Sequence, residues 1–325
     1  MRQPQQRTHL TSGRFDRSFQ THARAEPPRP EGRRRKRRLG IDLGGTNIKL
    51  VVLEGERIVD RRSEPTRSED GPEAVLDRLA ALARETGEVD SIGIALPGLF
   101  DGDGRGVLLP NLHGDWVGRP IAAPLEEALR ARVRLINDGH AFALAEARVG
   151  TAREARDVLC IVCGTGIGGG LVIGGRLHLG VEDRAGEIGH HTVMVDGPLC
   201  GCGNRGCLEM LAGARAIAEA AGQPSFEHVV SSARSGDERA REALARAAAF
   251  IGVALANLTI FFAPQCIVVG GGVAAAGALL FDPLRDEVER RAGRVAPLAA
   301  IEIVPATLGS DAGAVGAALA GGTAT

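Results

Sequence analysis

The sequence contains no tyrosine, one tryptophan and three methionines, and only two of its 39 basic residues, Lys36 and Lys49, are lysine. Arginine, alanine and glycine have GC-rich codons whereas lysine and tyrosine have AT-rich ones, so these shortages report genome composition rather than function. Cysteine is sparse as well: six in 325 residues are too few for a disulfide-stapled scaffold. Long hydrophobic runs are missing. The longest, residues 247–263, contains Asn257 and Thr259 and stops before Pro264, which marks a buried helix and not a membrane span. The basic run at 33–38 does not start an export signal, because Asp42 interrupts the segment where an apolar core should follow. A composition of 44% hydrophobic and 24% charged residues excludes collagen, low-complexity and coiled-coil arrays. What is left is a cytoplasmic globular protein without a membrane partner, of about two domains by length.

The net charge of −1 conceals an asymmetry. Residues 1–38 hold 12 Lys/Arg against 3 Asp/Glu, a net of +9, which leaves −10 for the remainder. A body this acidic argues against nucleic acid as a partner. The first 38 residues show no apolar period and read as a disordered basic extension, so order is expected to begin near Leu39.

From there strand-like and helix-like segments alternate, which predicts an α/β fold. Strands are expected at 39–42, 48–53, 91–96 and 133–136, and helices near 73–86, 120–131 and 139–149. The pattern of strand, glycine turn and strand then recurs at 158–173. Two such units predict a duplicated fold with a cleft between the copies. Helices near 210–221 and 237–262, a strand at 266–269, a helix at 282–292, a strand at 301–304 and a helix from Ala312 complete the expectation.

In Asp42-Leu-Gly-Gly-Thr-Asn-Ile-Lys49 adjacent glycines let the backbone turn tightly and aim N–H groups at an anion, while Thr46 and Lys49 add a hydroxyl and a charge. Asp42, at a strand end, is placed to hold Mg²⁺ on a phosphate. An ordinary hairpin explains this motif alone equally well. Residues 164–170 repeat the arrangement without the Gly-Lys-Ser/Thr ending of a P-loop, and between two strands, which excludes both Walker chemistry and a Rossmann fingerprint. With Gly270-Gly-Gly272 as a third loop, nucleotide binding outweighs coincidence.

Cys200, Cys202 and Cys207 form a cluster that, with His190 or His191, offers one imidazole and three thiolates to a closed, structural zinc site. Cys160 and Cys163 sit in an apolar strand and read as packing, as does Cys266. Asn137-Asp138 stands between a strand and a helix, and Asp138 there serves either as a helix cap or as a general base. Glu187 and Glu209 flank the proposed metal loop. Acceptor-rich carboxylates, amides and an imidazole suit a polyhydroxyl ligand.

These motifs, together with Leu96-Pro-Gly98, Pro110-Asn111 and Gly186-Glu-Ile-Gly-His190, resemble the ROK family of bacterial sugar kinases and repressors, in order and with family-like spacing from about residue 39 to the end. The resemblance implies the actin/hexokinase-like α/β fold, two ribonuclease-H-like lobes around a central cleft. A first lobe is expected over 39–137, completed by the helix at 312–325, and a larger second lobe with the zinc loop over 138–311. It implies ATP-dependent phosphorylation of a hexose at the 6-hydroxyl, glucose first, with N-acetylglucosamine or N-acetylmannosamine, or a sugar-sensing regulator, as alternatives. Carried over by motif, Asp138 is the catalytic base, and Gly98, Asn111, Asn137, Glu187, His190 and Glu209 line the sugar site. Gly44, Gly45, Thr46, Lys49, Thr165, Gly166, Gly270 and Gly271 surround ATP, and His190, Cys200, Cys202 and Cys207 bind structural Zn²⁺. The residues ahead of the first motif lack a helix-turn-helix pattern, which favours kinase over repressor. Polyphosphate-using relatives usually lack the cysteine cluster, which favours ATP. The family habit is a homodimer or homotetramer. The basic extension and Ala263-Pro-Gln265, where acidic residues often flank the proline, depart from the family pattern.

Overall fold

Both glycine turns close antiparallel hairpins, and each hairpin opens a five-stranded sheet. The structure, a computed structural model, describes residues 35–293, 295 and 301–322; most of the expected basic extension and the end of the expected C-terminal helix lie outside the described residues. In the first sheet β1 (Arg37–Leu43), β2 (Asn47–Glu54) and β3 (Arg57–Pro65) form a meander, and α1 (Pro72–Glu85) leads to β4 (Ser91–Leu96), parallel to β1. A short hairpin of β5 (Leu99–Phe100) and β6 (Gly106–Leu108), then α2 (Ala122–Leu129), precede β7 (Val133–Asn137), parallel to β4. The strand order is β3-β2-β1-β4-β7.

Helix α3 (Asp138–Arg148) crosses to the second sheet, where β8 (Val158–Cys163), β9 (Ile167–Ile173) and β10 (Arg176–His178) form another meander. Helices α4 (Glu209–Ala212), α5 (Ala214–Ala221), α6 (Phe226–Arg234) and α7 (Glu238–Phe262) separate it from β11 (Cys266–Gly270), α8 (Ala278–Ala292) and β12 (Glu302–Pro305); α9 (Ala312–Gly321) follows. The order β10-β9-β8-β11-β12, with β8, β11 and β12 parallel, repeats the first sheet strand for strand. The repeat read from the sequence is thus a repeat of topology.

Three apolar clusters fill the fold. One lies between the first sheet and α1 and α2, and another between the second sheet and α5 to α8. The third is centred on α3 and α9, which supply nine alanines and pack against each other between the sheets. Small residues let these two helices touch through their backbones: a Cβ at Gly316 would overlap the Ala141 carbonyl. Helix α9 lies on β1 and β4, so the last described element packs on the first sheet.

Several boundaries differ from expectation. Strand β1 takes in Arg37 and Arg38, and Arg38 bonds the Gly55 carbonyl. Strand β3 is charged and sits at a sheet edge with mostly exposed side chains, which hides its period. The helix expected at 210–221 breaks at Gly213 into α4 and α5, and α6 was not anticipated. Among the described residues α7 alone is long and apolar enough to cross a membrane; half of its most apolar window is buried, with Ala240, Leu244, Ala247, Ile251 and Ala254 along one face. Gln265, beside Pro264, accepts the N–H groups of Arg156 and Asp157 on its side-chain oxygen at 2.7 and 3.0 Å.

Candidate active site

The parallel strands β1, β4 and β7 all end on the same side of the first sheet, and β8 and β11 end likewise in the second. Segments leaving β4, β7 and β8, with residues after β6 and β10 and the start of α4, enclose a cavity of about 310 Å³. Gly98, Asn111, Asn137, Asp138, Glu187, His190 and Glu209 all line it, as do Thr165 and Gly166 of the second glycine turn. The seven residues assigned to a sugar site come from five separate segments, and the fold brings all of them to one cavity.

Asn137, and not Asp138, caps α3, and it also lines the cavity. Its Oδ1 accepts the His140 N–H at 3.1 Å as the N-cap of α3, and its Nδ2 donates to the Gly98 carbonyl at 3.0 Å. Gly98 has φ of +91°, and a Cβ there would overlap the Leu108 carbonyl, so this turn requires glycine. With Asn137 serving as cap, Asp138 is left facing the cavity, one oxygen accepting the Gly139 N–H at 2.8 Å. Solvent reaches Asp138 from the cleft, but protein encloses the carboxyl on its other sides. That loss of water, then the negative charges of Asp42 and Glu187, push it up to about 7. Burial likewise raises Asp42 to about 6, against the pull of Lys49.

Opposite Asp138, Glu209 accepts the Ile167 N–H at 2.9 Å, which fixes the carboxylate over the second glycine turn. His190 ends a single 3-10 turn, Ile188–His190, and its Nδ1 lies 3.6 Å from the Cys200 sulfur. The Cys202 and Cys207 sulfurs are 3.7 Å apart, and the four candidate ligand atoms all lie within 4.8 Å of one another. A tetrahedron with Zn–S bonds of about 2.3 Å has edges near 3.8 Å, so the donor set has both the chemistry and the spacing for zinc. The cluster takes in His190 and not His191.

The first glycine turn is held from outside: Thr66 donates its N–H to the Thr46 carbonyl at 2.8 Å and its hydroxyl to the Gly44 carbonyl at 2.6 Å. The Gly45 backbone passes against that of Asn111, which couples this turn to the wall of the cavity. Asp42, Gly44, Gly45, Thr46, Lys49, Gly270 and Gly271 do not line the cavity itself. Lys49 donates to the Ser310 carbonyl at 3.2 Å, while Gly270 and Gly271 pack against Phe142 and the Cys163 backbone. Pro97, Pro110, Val162 and Gly186 also line the cavity without having been singled out as binding residues. His140 and Glu146, both buried, went unread as well. Their signal was two polar residues inside the Ala-rich helix α3.

A model of the ROK family matches residues 38–321. The chain belongs to the ROK family. A ROK hexokinase from Thermus thermophilus superposes with a TM-score of 0.78 and 38% identity, over 88% of this chain and 97% of that one. A ROK family glucokinase from Streptomyces griseus, solved with glucose and AMPPNP, gives 0.76 and 33% over 87% and 98%. The glucokinase of Halalkalibacterium halodurans is 36% identical over 309 residues, covering 86% of this chain and 92% of its own length. The actin/hexokinase-like α/β fold implied by the motifs is therefore the fold of this ROK protein.

Proposed function

We propose that this ROK protein is an ATP-dependent hexose kinase that phosphorylates glucose at the 6-hydroxyl. The observation that carries the reading is Asp138, a carboxyl raised to about 7 at the floor of a cavity otherwise walled by hydroxyl-binding groups and a glycine turn. A base of that strength suits proton removal near neutral pH. Asn111, Asn137, Glu187, His190 and Glu209 orient the sugar, while the backbone N–H groups of the two glycine turns receive the triphosphate. The sugar O6–H passes its proton to Asp138 as O6 bonds the γ-phosphorus and the bond to the β-γ bridging oxygen breaks, releasing ADP. Asp42 would hold Mg²⁺ through water, and the ion would neutralise charge on the phosphates.

His190, Cys200, Cys202 and Cys207 would hold structural Zn²⁺, which ties His190 by Nδ1 and leaves Nε2 for a sugar hydroxyl. The reading keeps a first lobe of 39–137 completed by the C-terminal helix and a second of 138–311, closing on the sugar to exclude water. It also keeps a homodimer or homotetramer and a cytoplasmic setting, the latter consistent with six cysteines in no disulfide. The names of the Streptomyces and Halalkalibacterium relatives support glucose as the substrate.

A coupled ADP-release assay with glucose, N-acetylglucosamine, N-acetylmannosamine, mannose and fructose tests the reading. Glucose should give the highest kcat/KM. A clear preference for an acylated amino sugar would replace the substrate. Silence with every sugar, in folded protein containing zinc, would overturn the kinase assignment.

A further inference from the structure

His140 is 1% exposed, in the first turn of α3 two residues after Asp138. Its Nε2 lies 2.6 Å from the Ala185 carbonyl oxygen. A carbonyl only accepts, so Nε2 carries the proton and donates. The buried Nδ1 has no hydrogen-bond partner. A charged ring would bury a second N–H without an acceptor, and burial accordingly holds the imidazole below its ordinary range. The titratable groups around it are Asp183 and Glu187 from the loop after β10, and His178 from β10 itself. His140 is thus a neutral, one-directional donor.

The loop it grips needs an anchor. Gly180 is followed by two non-glycine residues in the left-handed region, Glu182 at φ 52° and Asp183 at φ 57°, and by Gly186 at φ 84°. Such outliers persist only where their surroundings impose them. The loop bonds itself through Ala185 N–H to the Leu179 carbonyl and Ile188 N–H to the Gly186 carbonyl. The His190 N–H also donates to the Glu187 carbonyl, and beyond residues 179–190 His140 is, among the described residues, the one group that hydrogen-bonds the turn at 180–187. Gly186 lies against the ring, where a Cβ would come within 3.2 Å of Nε2, and Glu187 follows it into the cavity.

We propose that His140 is a positioning residue: its bond to the Ala185 carbonyl sets Glu187 relative to Asp138, and with it the grip on the sugar. The inference rests on the sugar-kinase reading for its substrate but not for its structural half. If His140 merely fills space between α3 and β9, a leucine of similar volume should serve. The test compares His140→Leu, which keeps bulk and removes the donor, with His140→Gln, whose side-chain amide offers a donor at the reach of Nε2.

Hydrogen exchange over residues 185–191 should quicken in His140→Leu and return toward wild type in His140→Gln. The KM for glucose should rise about tenfold or more in the leucine variant, with the KM for ATP within about twofold and kcat within about threefold, and the glutamine variant should recover most of the loss. Unchanged exchange and KM in folded His140→Leu, or equal damage from both substitutions, would overturn the proposal. Failure of the wild type to bind or phosphorylate any hexose would instead remove the sugar reading. The exchange comparison would still decide whether His140 holds the loop.

Discussion

The buried Glu146 carboxylate accepts the backbone N–H groups of Thr307 and Leu308 at 3.0 and 2.9 Å, so α3 is tied to the segment that leaves β12 for α9. Its other oxygen takes the Thr151 N–H at 3.0 Å. One side chain therefore joins the two connections that run between the sheets, at a point where water does not compete.

Glu146→Gln should weaken this knot, because an amide presents one acceptor oxygen where the carboxylate presents two. The expected loss is about 2 kcal/mol, a fall in Tm of about 4–8 °C. Thermal unfolding measures it. A Tm within a degree of wild type would show that the bonds contribute little net stability.

Asp138→Asn should keep the fold and glucose binding but lower kcat by about 10³-fold, the usual range for a lost general base. A coupled assay and calorimetric titration of glucose separate the two effects. Turnover near wild type in the folded variant would remove Asp138 from the chemistry.

The same substitution should stabilise the protein at pH 8. Asp138 is raised from 3.8 to about 7, so the fold favours its protonated form. Its contribution to stability is complete below pH 3.8 and is lost as pH rises through about 7. Asparagine escapes that loss. Allowing for solvent at the cleft mouth, the gain is about 1 kcal/mol, or about 2–4 °C in Tm. At pH 3.5 the gain should disappear, and an equal gain at both pH values would refute the linkage.

Activity should follow the same group. The free enzyme needs Asp138 ionised, so kcat/KM for glucose should climb with pH to a plateau above about 7. Asp42, raised to about 6, shares the titration, so the apparent midpoint belongs to the pair. A profile flat from pH 5 to 9 would contradict the assignment.

Cys202→Ser should release zinc and raise the KM for glucose more than that for ATP, since the proposed metal loop is bounded by His190 and Glu209, which both line the cavity. Metal analysis beside kinetics decides. Full activity in metal-free protein would leave zinc without a role at the site.

The sequence exposes most of this site because glycine turns, a helix cap and a cysteine cluster are local signals. Asn137, Glu187 and Glu209 stand beside such signals, Gly98 and Asn111 entered only through the resemblance to the ROK family, and all five meet in one cavity through the fold. His140 and Glu146 were less legible. Both lie in a run of alanines read as a simple helix, and their partners, Ala185 and Thr307, are 45 and 161 residues away. Strand β3 escaped for another reason: as an edge strand it buries too little to show a period of two.

The close crossing of α3 and α9 gives the molecule something like an axle. Asp138 begins α3, and the first turn of α9 runs against Asp42, where a Cβ on Gly313 would lie 2.6 Å from the carboxylate. The two acidic groups are thus mounted at neighbouring ends of the axle. Displacement in any turning motion grows with radius. A swing of one sheet about these helices would move residues remote from the crossing more than Asp42 and Asp138.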